Sequence, residues 1–216
     1  INDAKQIKII ESEINHDVKA VEYFIKEKFD DLNLSKYKEF VHFGLTSQDI
    51  NNTAIPLMIK DSLNNIISKS YDTLIEDLNK VSMKTVNIPM IARTHGQPAT
   101  PTTFGKEMKV YESRLKNQIE SLGRIPNNGK FGGASGNLNA HYLAYPNINW
   151  DEFGKHFLSK FQLLRSKCTT QIDNYENLSV VFDSIKRLNT ILIDMCQDIW
   201  QYISRNYLLQ KINNNE

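Results

Sequence analysis

Cysteine is scarce in this chain, with only Cys168 and Cys196 among 216 residues. A single pair of thiols makes neither a disulfide framework nor a zinc site. A reduced, cytosolic protein is the simplest fit to that usage. Excess charge is lacking too. The 26 basic and 25 acidic side chains leave a formal net charge of +1, which offers no field for nucleic acid or a membrane surface. No apolar run approaches the roughly 18 residues of a membrane-spanning helix. The first eleven residues are mixed and charged, unlike a secretory leader. Strand-like alternation is sparse, and no internal repeat is visible. What is plentiful is apolar side chain, 40% of the whole, enough for a substantial core and too much for global disorder. The length fits one large domain, or one domain and a piece of another. The chain lacks an initiator Met, opens in what reads as mid-helix, and closes on the polar run Asn213-Asn214-Asn215-Glu216. A fragment of a longer protein is therefore expected.

The chain is organised around Arg93-Thr94-His95-Gly96-Gln97-Pro98-Ala99-Thr100-Pro101. Gly96, Pro98 and Pro101 oppose a regular helix. The reading is a stiff, irregular loop running into the N-terminus of a helix that opens after Pro101. Helix N-termini favour anions, and a histidine there can give or take a proton near one. The alternative is that His95 only hydrogen-bonds its own loop.

Before this stretch, Ile14, Val18, Val21, Phe24 (or Ile25) and Phe29 recur at helical spacing. Asn15-His16-Asp17 lies at that helix's start, where Asn or Asp is a plausible N-cap; the functional alternative is that His16 faces a site. Asp30 to Asn33 breaks the pattern, and a short helical piece around Lys36 to His42 is expected. Gly44 ends it. Thr46 or Ser47 caps the next helix, and Asp49 completes a capping box with Asp in place of Glu. That helix runs from about Ser47 to Lys84, roughly 50 Å at 1.5 Å per residue, with a kink expected at Pro56. Ile67, Tyr71, Leu74, Leu78 and Val81 give it heptad spacing.

A second long helix, from about Thr102 to Leu122, is stopped by Gly123. Asn127 to Gly136 holds four of the nine glycines and reads as a loop, not a dinucleotide fingerprint. Asp151 to Phe161 is a short amphipathic helix, and Gln162 to Gln171 reads as extended. The last helix, from about Asn174 to Leu209, carries a stripe of Leu178, Phe182, Ile185, Leu192, Cys196, Ile199 and Ile203. A flank of Val181, Leu188, Met195 and Tyr202 widens it, so it packs on more than one neighbour. The fold class is all-α, a long antiparallel helical bundle.

Three loops carry chemistry: Asn15-His16-Asp17, His42 to Ser47, and Thr94-His95. Each lies at or just before a helix start. No metal-ligand spacing joins the histidines, and there is no Gly-x-Ser-x-Gly elbow. Acid–base work on an anionic substrate fits these residues better than covalent or metal catalysis.

These three motifs closely resemble the adenylosuccinate lyase family of the fumarase/aspartase superfamily, in its bacterial-type branch. The resemblance extends through Gly136-Asn137-Leu138-Asn139-Ala140-His141, Thr169-Thr170-Gln171-Ile172 and Arg187 to Asp194, so it covers essentially the whole chain. It implies a homotetramer with a shared helical bundle, three subunits contributing to each site, and no metal or organic cofactor. The substrate it implies is a succinyl-purine nucleotide, from which fumarate is eliminated in AMP biosynthesis. Residues 1–45 then belong to an N-terminal helical domain and 46–216 to the central bundle. His95 matches the family's general acid and His16 a second site histidine. Thr46 and Ser47 match residues that bind an anionic part of the substrate, Gln171 a substrate-binding glutamine, and Asn15, Asp17 and Thr94 their neighbours. The structural reading of His42 and His141 stands beside any functional one. The family's basic serine, on a mobile loop, is expected just after Glu216. This piece alone is accordingly not expected to turn over substrate.

Overall fold

The computed structural model describes residues 2–211, so the polar run 213–216 lies outside the described residues. In chain order the elements are α1 (Asn2–Ile14), α2 (Asp17–Asp31), a 3₁₀ turn (Ser35–Phe40), α3 (Ser47–Ser62), a π-helical turn (Leu63–Ile67) and α4 (Ser68–Lys84). The strands β1 (Pro89–Thr94) and β2 (Gln97–Thr103) lead into α5 (Phe104–Leu122). Then follow β3 (Asn128–Gly129), α6 (Asn139–Ala144), α7 (Trp150–Ser159), β4 (Leu164–Arg165) and α8 (Glu176–Ser204). The helical expectation holds.

The helices begin where side chains satisfy their free amides. Thr103 Oγ1 accepts from the Lys106 N–H at 3.2 Å to open α5, and Asn149 Oδ1 from Glu152 N–H at 3.1 Å to open α7. The N-cap of α2 is His16, not Asn15 or Asp17. Asn15 instead takes a left-handed conformation (φ 54°) between α1 and α2. Pro56 lies inside α3, and the departure from α geometry comes later, at the π turn over Leu63–Ile67. The extended reading of Gln162 to Gln171 shrinks to two residues, Leu164 and Arg165, paired in parallel with Asn128 and Gly129.

The chain divides into two compact units. The first comprises the described residues up to Lys60 together with Pro126–Glu176. Its core is Phe131, Leu138, Trp150, Leu158 and Leu163, with Phe43, Leu45 and Leu57 packed against it. Burying each such side chain contributes about 1.5–3 kcal/mol.

The second unit comprises Asp61–Ile125 and the described residues from Asn177. Here α5 runs antiparallel to α4, because Lys109 reaches Asn79 while Gly105 meets Ser82. It also runs antiparallel to α8, as the pairs Arg114–Asp194 and Gln118–Arg187 show. Met108, Leu115 and Leu122 mark the buried face of α5. On α8 the buried residues are Val181, Ser184, Leu188 and Ile191; Val181 and Leu188 belong to the expected flank, Ser184 and Ile191 to neither expected set, and Phe182 of the expected main stripe is exposed.

At the join of α4 and α5 the backbones touch. A Cβ on Gly105 would lie 2.3 Å from Ser82 O and 2.6 Å from Val86 N. The Ser82 hydroxyl donates to Gly105 O at 2.7 Å, and the Gly105 N–H donates to Thr85 O at 3.1 Å. This joint fixes the base of the β1–β2 hairpin.

Candidate active site

His95 occupies the tip of the hairpin. β1 and β2 pair antiparallel from Pro89↔Thr103 to Thr94↔Gln97, with an irregularity between Ile91 and Arg93. Only His95 and Gly96 remain to make the turn, and both have positive φ, 51° and 76°. Positive φ at both central residues is the mark of a type I′ hairpin turn, whose twist matches the strands. The irregular loop expected here is therefore a hairpin with a tight two-residue turn. A two-stranded ribbon consists of edges alone, and edges tolerate proline, so Pro98 and Pro101 fit within β2.

The helix end is not beside the imidazole. The seven residues of β2 separate the turn from α5, roughly 23 Å at about 3.3 Å per residue. His95 and Thr94 are exposed, and the His95 ring has no hydrogen-bond partner among the described residues. Arg93 Nη1 braces the turn by donating to Gly96 O at 3.1 Å. A cleft of about 450 Å³ opens beside the hairpin, lined among others by Thr94, Glu107, Asp198, Tyr202 and Arg205. Burial, with the Glu107 and Asp198 carboxylates, pushes Tyr202 up to about 12. Burial and a hydrogen bond donated to Asp198 raise Tyr111 as well. Both phenols therefore stay protonated donors at neutral pH.

His16 and Ser47 meet in the first unit. His16 Nδ1 accepts from the Lys19 N–H at 3.3 Å as it caps α2. In a neutral ring that leaves the proton on Nε2, which lies 3.4 Å from Ser47 Oγ. Asp17 Oδ1 lies 3.3 Å from His16 Nδ1. Thr46 and Ser47 stand at the start of α3, so a hydroxyl and first-turn amides face the same corner as the imidazole, a suitable seat for an anion. One arm of the capping box is present: Thr46 N–H donates to Asp49 Oδ2 at 2.8 Å, while Asp49 N–H donates to the Thr46 carbonyl at 2.9 Å.

Asp49 does more than cap. Its carboxylate also receives Lys130 Nζ at 2.7 Å, Gly132 N–H at 2.8 Å and Gly133 N–H at 3.1 Å. The glycine loop is thereby held against the first turn of α3. One turn on, Asn52 bonds both backbone polar groups of Asp173 at 3.2 Å, and Thr53 Oγ1 donates to Lys130 O at 3.1 Å. Gln171 lies two residues before Asp173, exposed on a bend. Local spacing gave no hint of Asn52 or Lys130 in these roles, because their partners lie 77 to 121 residues away.

His42 and His141 have different surroundings. Burial pulls both below the usual histidine value. His141 is 1% exposed, ringed by Phe43, Phe131 and Trp150, and neither of its ring nitrogens has a partner among the described residues. His42 is half-buried in a left-handed conformation (φ 64°), near Glu22, Lys19 and His16.

The family model described as "Lyase" matches residues 1–216. The chain belongs to this lyase family. It is 52% identical to the adenylosuccinate lyase of Dictyostelium discoideum over 217 residues, covering 98% of this chain and 47% of the relative. It is 43% identical to the adenylosuccinate lyase of Escherichia coli (strain K12), covering 97% and 46%. The chain thus spans about half the length of the curated relatives it matches. Two solved structures share its fold at 21% identity. They are a fumarate lyase from Mesorhizobium sp. BNC1, with a TM-score of 0.75 over 93% of this chain and 45% of the other, and the beta-carboxy-cis,cis-muconate cycloisomerase from Acinetobacter calcoaceticus sp. ADP1, at 0.71 over 92% and 45%. Among the described residues no helix is long and apolar enough to cross a membrane.

Proposed function

We propose that the complete protein eliminates fumarate from adenylosuccinate to give AMP, and from the succinylated carboxamide intermediate of purine synthesis. The observation that carries this reading is the 52% identity, across 98% of the chain, to a relative named adenylosuccinate lyase. In the reaction a base removes a proton from the carbon next to a carboxylate, and the C–N bond breaks. The departing nitrogen needs a proton, which makes a general acid essential. His95 takes that role, and its exposed, unpartnered ring on a stiff two-residue turn supports it. His16 contacts the substrate as a second histidine. Thr46 and Ser47 bind an anionic group, while Gln171, Asn15, Asp17 and Thr94 complete the contacts. The chemistry calls for no metal or organic cofactor. The working assembly is a cytoplasmic homotetramer, each site drawing on three subunits, with the basic serine contributed from outside these residues.

The test is His95→Ala in the complete chain, with fumarate release and tetramer formation both measured. Lost turnover in an intact tetramer supports the assignment. Unchanged turnover removes it, and no turnover by the unaltered complete chain leaves a helical scaffold. Release of fumarate from other succinyl donors, with none from adenylosuccinate, would point to another lyase of the superfamily.

A further inference from the structure

The segment carrying Gln171 has no regular structure of its own. β4 ends at Arg165 and α8 begins at Glu176, so no sheet ladder or helix holds the residues between. Side chains hold them instead. Ser166 donates its hydroxyl to the Asp173 carboxylate, and the Tyr175 N–H donates to Asp173 Oδ1 at 3.4 Å. At the other end the Thr169 carbonyl packs against Gly136 with no room for a side chain between them.

The tie that reaches furthest comes from α3. The Asn52 side chain is 1% exposed. Its Nδ2 donates to Asp173 O, and its Oδ1 accepts from Asp173 N–H, both at 3.2 Å. Only an amide can do this, because the backbone presents one acceptor and one donor side by side. Asn52 stands five residues after Ser47 on the same helix, about 7.5 Å along its axis. The α3 backbone therefore links the hydroxyls of Thr46 and Ser47 to the segment bearing Gln171.

We infer that Asn52 is a positioning residue for Gln171, holding it in register with Thr46 and Ser47. This rests on the proposed reading of Gln171 as a substrate contact. Asn52 touches no substrate itself. It acts through the backbone two residues downstream of the glutamine.

A double-mutant cycle in the complete chain tests this, with adenylosuccinate as substrate and KM and kcat measured separately. Asn52→Asp keeps the side-chain shape but turns an oxygen toward Asp173 O. We expect it to raise KM about tenfold with kcat changed less than about threefold. Gln171→Ala should raise KM by a similar factor. The double variant should be no worse than Gln171→Ala alone, since two changes acting through one contact do not add. Multiplying effects in the double variant, or a fall in kcat at constant KM in Asn52→Asp, would overturn the positioning role while leaving the reading of Gln171 intact. A Gln171→Ala variant with unchanged KM and kcat would overturn both. If Asn52→Asp fails to fold, Asn52→Ala, which removes both bonds to Asp173 without burying a charge, enters the same cycle with the same outcomes.

Discussion

Asp49 Oδ1 lies 2.7 Å from Lys130 Nζ, with the two side chains 1% and 0% exposed. An ion pair this deep gains little over a well-packed apolar pair, yet breaking it is costly, because one partner is left charged and buried. The Lys130 ammonium also donates to Gly133 O at 3.0 Å, so it ties the glycine loop as well as the helix. Lys130→Met in the complete chain is expected to destabilise the fold by about 3–5 kcal/mol. The measurement is the urea midpoint at constant slope. A shift smaller than about 1 kcal/mol would show that water reaches the pair.

His141 makes stability depend on pH. Burial holds its folded-state pKa below the value of about 6.5 for an exposed histidine. Between those two values the unfolded chain binds the proton and the folded chain does not. Stability from this source is therefore complete above about pH 6.5 and declines as pH falls from there toward the depressed folded value. His42 is shifted the same way and adds to the decline. His141→Leu should flatten the slope of unfolding free energy against pH below 6.5 by up to about 1.4 kcal/mol per pH unit. An unchanged slope would show that the ring is charged or solvated in the native state.

Gly105→Ala should harm the second unit at the joint of α4 and α5. The new methyl would meet backbone atoms, Ser82 O and Val86 N, rather than a flexible side chain. Overpacking of this kind costs about 1–3 kcal/mol or more. Thermal unfolding of the complete chain measures it. Amide exchange at Phe104 and Gly105, whose N–H groups bond Ile88 O and Thr85 O, should quicken with it.

Gly96→Ala probes the turn itself. A Cβ there meets nothing within 4 Å, so only the left-handed backbone (φ 76°) resists it, by about 1–2 kcal/mol. If His95 is the proposed acid, we expect kcat to fall more than about tenfold for this modest stability loss, since the strained turn re-aims the imidazole. A stability loss with unchanged kcat would separate the turn geometry from proton transfer.

Spacing revealed the helices because three- and four-residue periodicity survives any tertiary context, as in Met108 and Leu115 on α5. It revealed the capping box of Thr46 and Asp49 because that device is local. It hid the hairpin because Pro98 and Pro101 read as breakers, and only a two-stranded ribbon leaves both strands open enough to take them. The readable signal was a single pair, His95-Gly96, standing where hairpins prefer a residue followed by glycine. Along α8 the apolar stripe was visible, but periodicity alone could not say which flank would be buried in this chain. Asn52 and Lys130 were illegible for another reason: Asp173 and Asp49, which they hold, are distant in sequence, and no local pattern encodes a buried amide's choice of backbone.

The two-residue turn at His95 and Gly96 also restricts what kinds of genetic change the hairpin can absorb. Side chains alternate between faces along a strand, so inserting one codon between Thr94 and Gln97 would alter the turn and the pairing register that aim the imidazole, and deleting one would remove His95 or Gly96 itself. Missense changes on the exposed outer positions of β2 leave that direction intact. Among lineages carrying a working copy, drift in these exposed strand positions is therefore expected alongside an unvarying turn length.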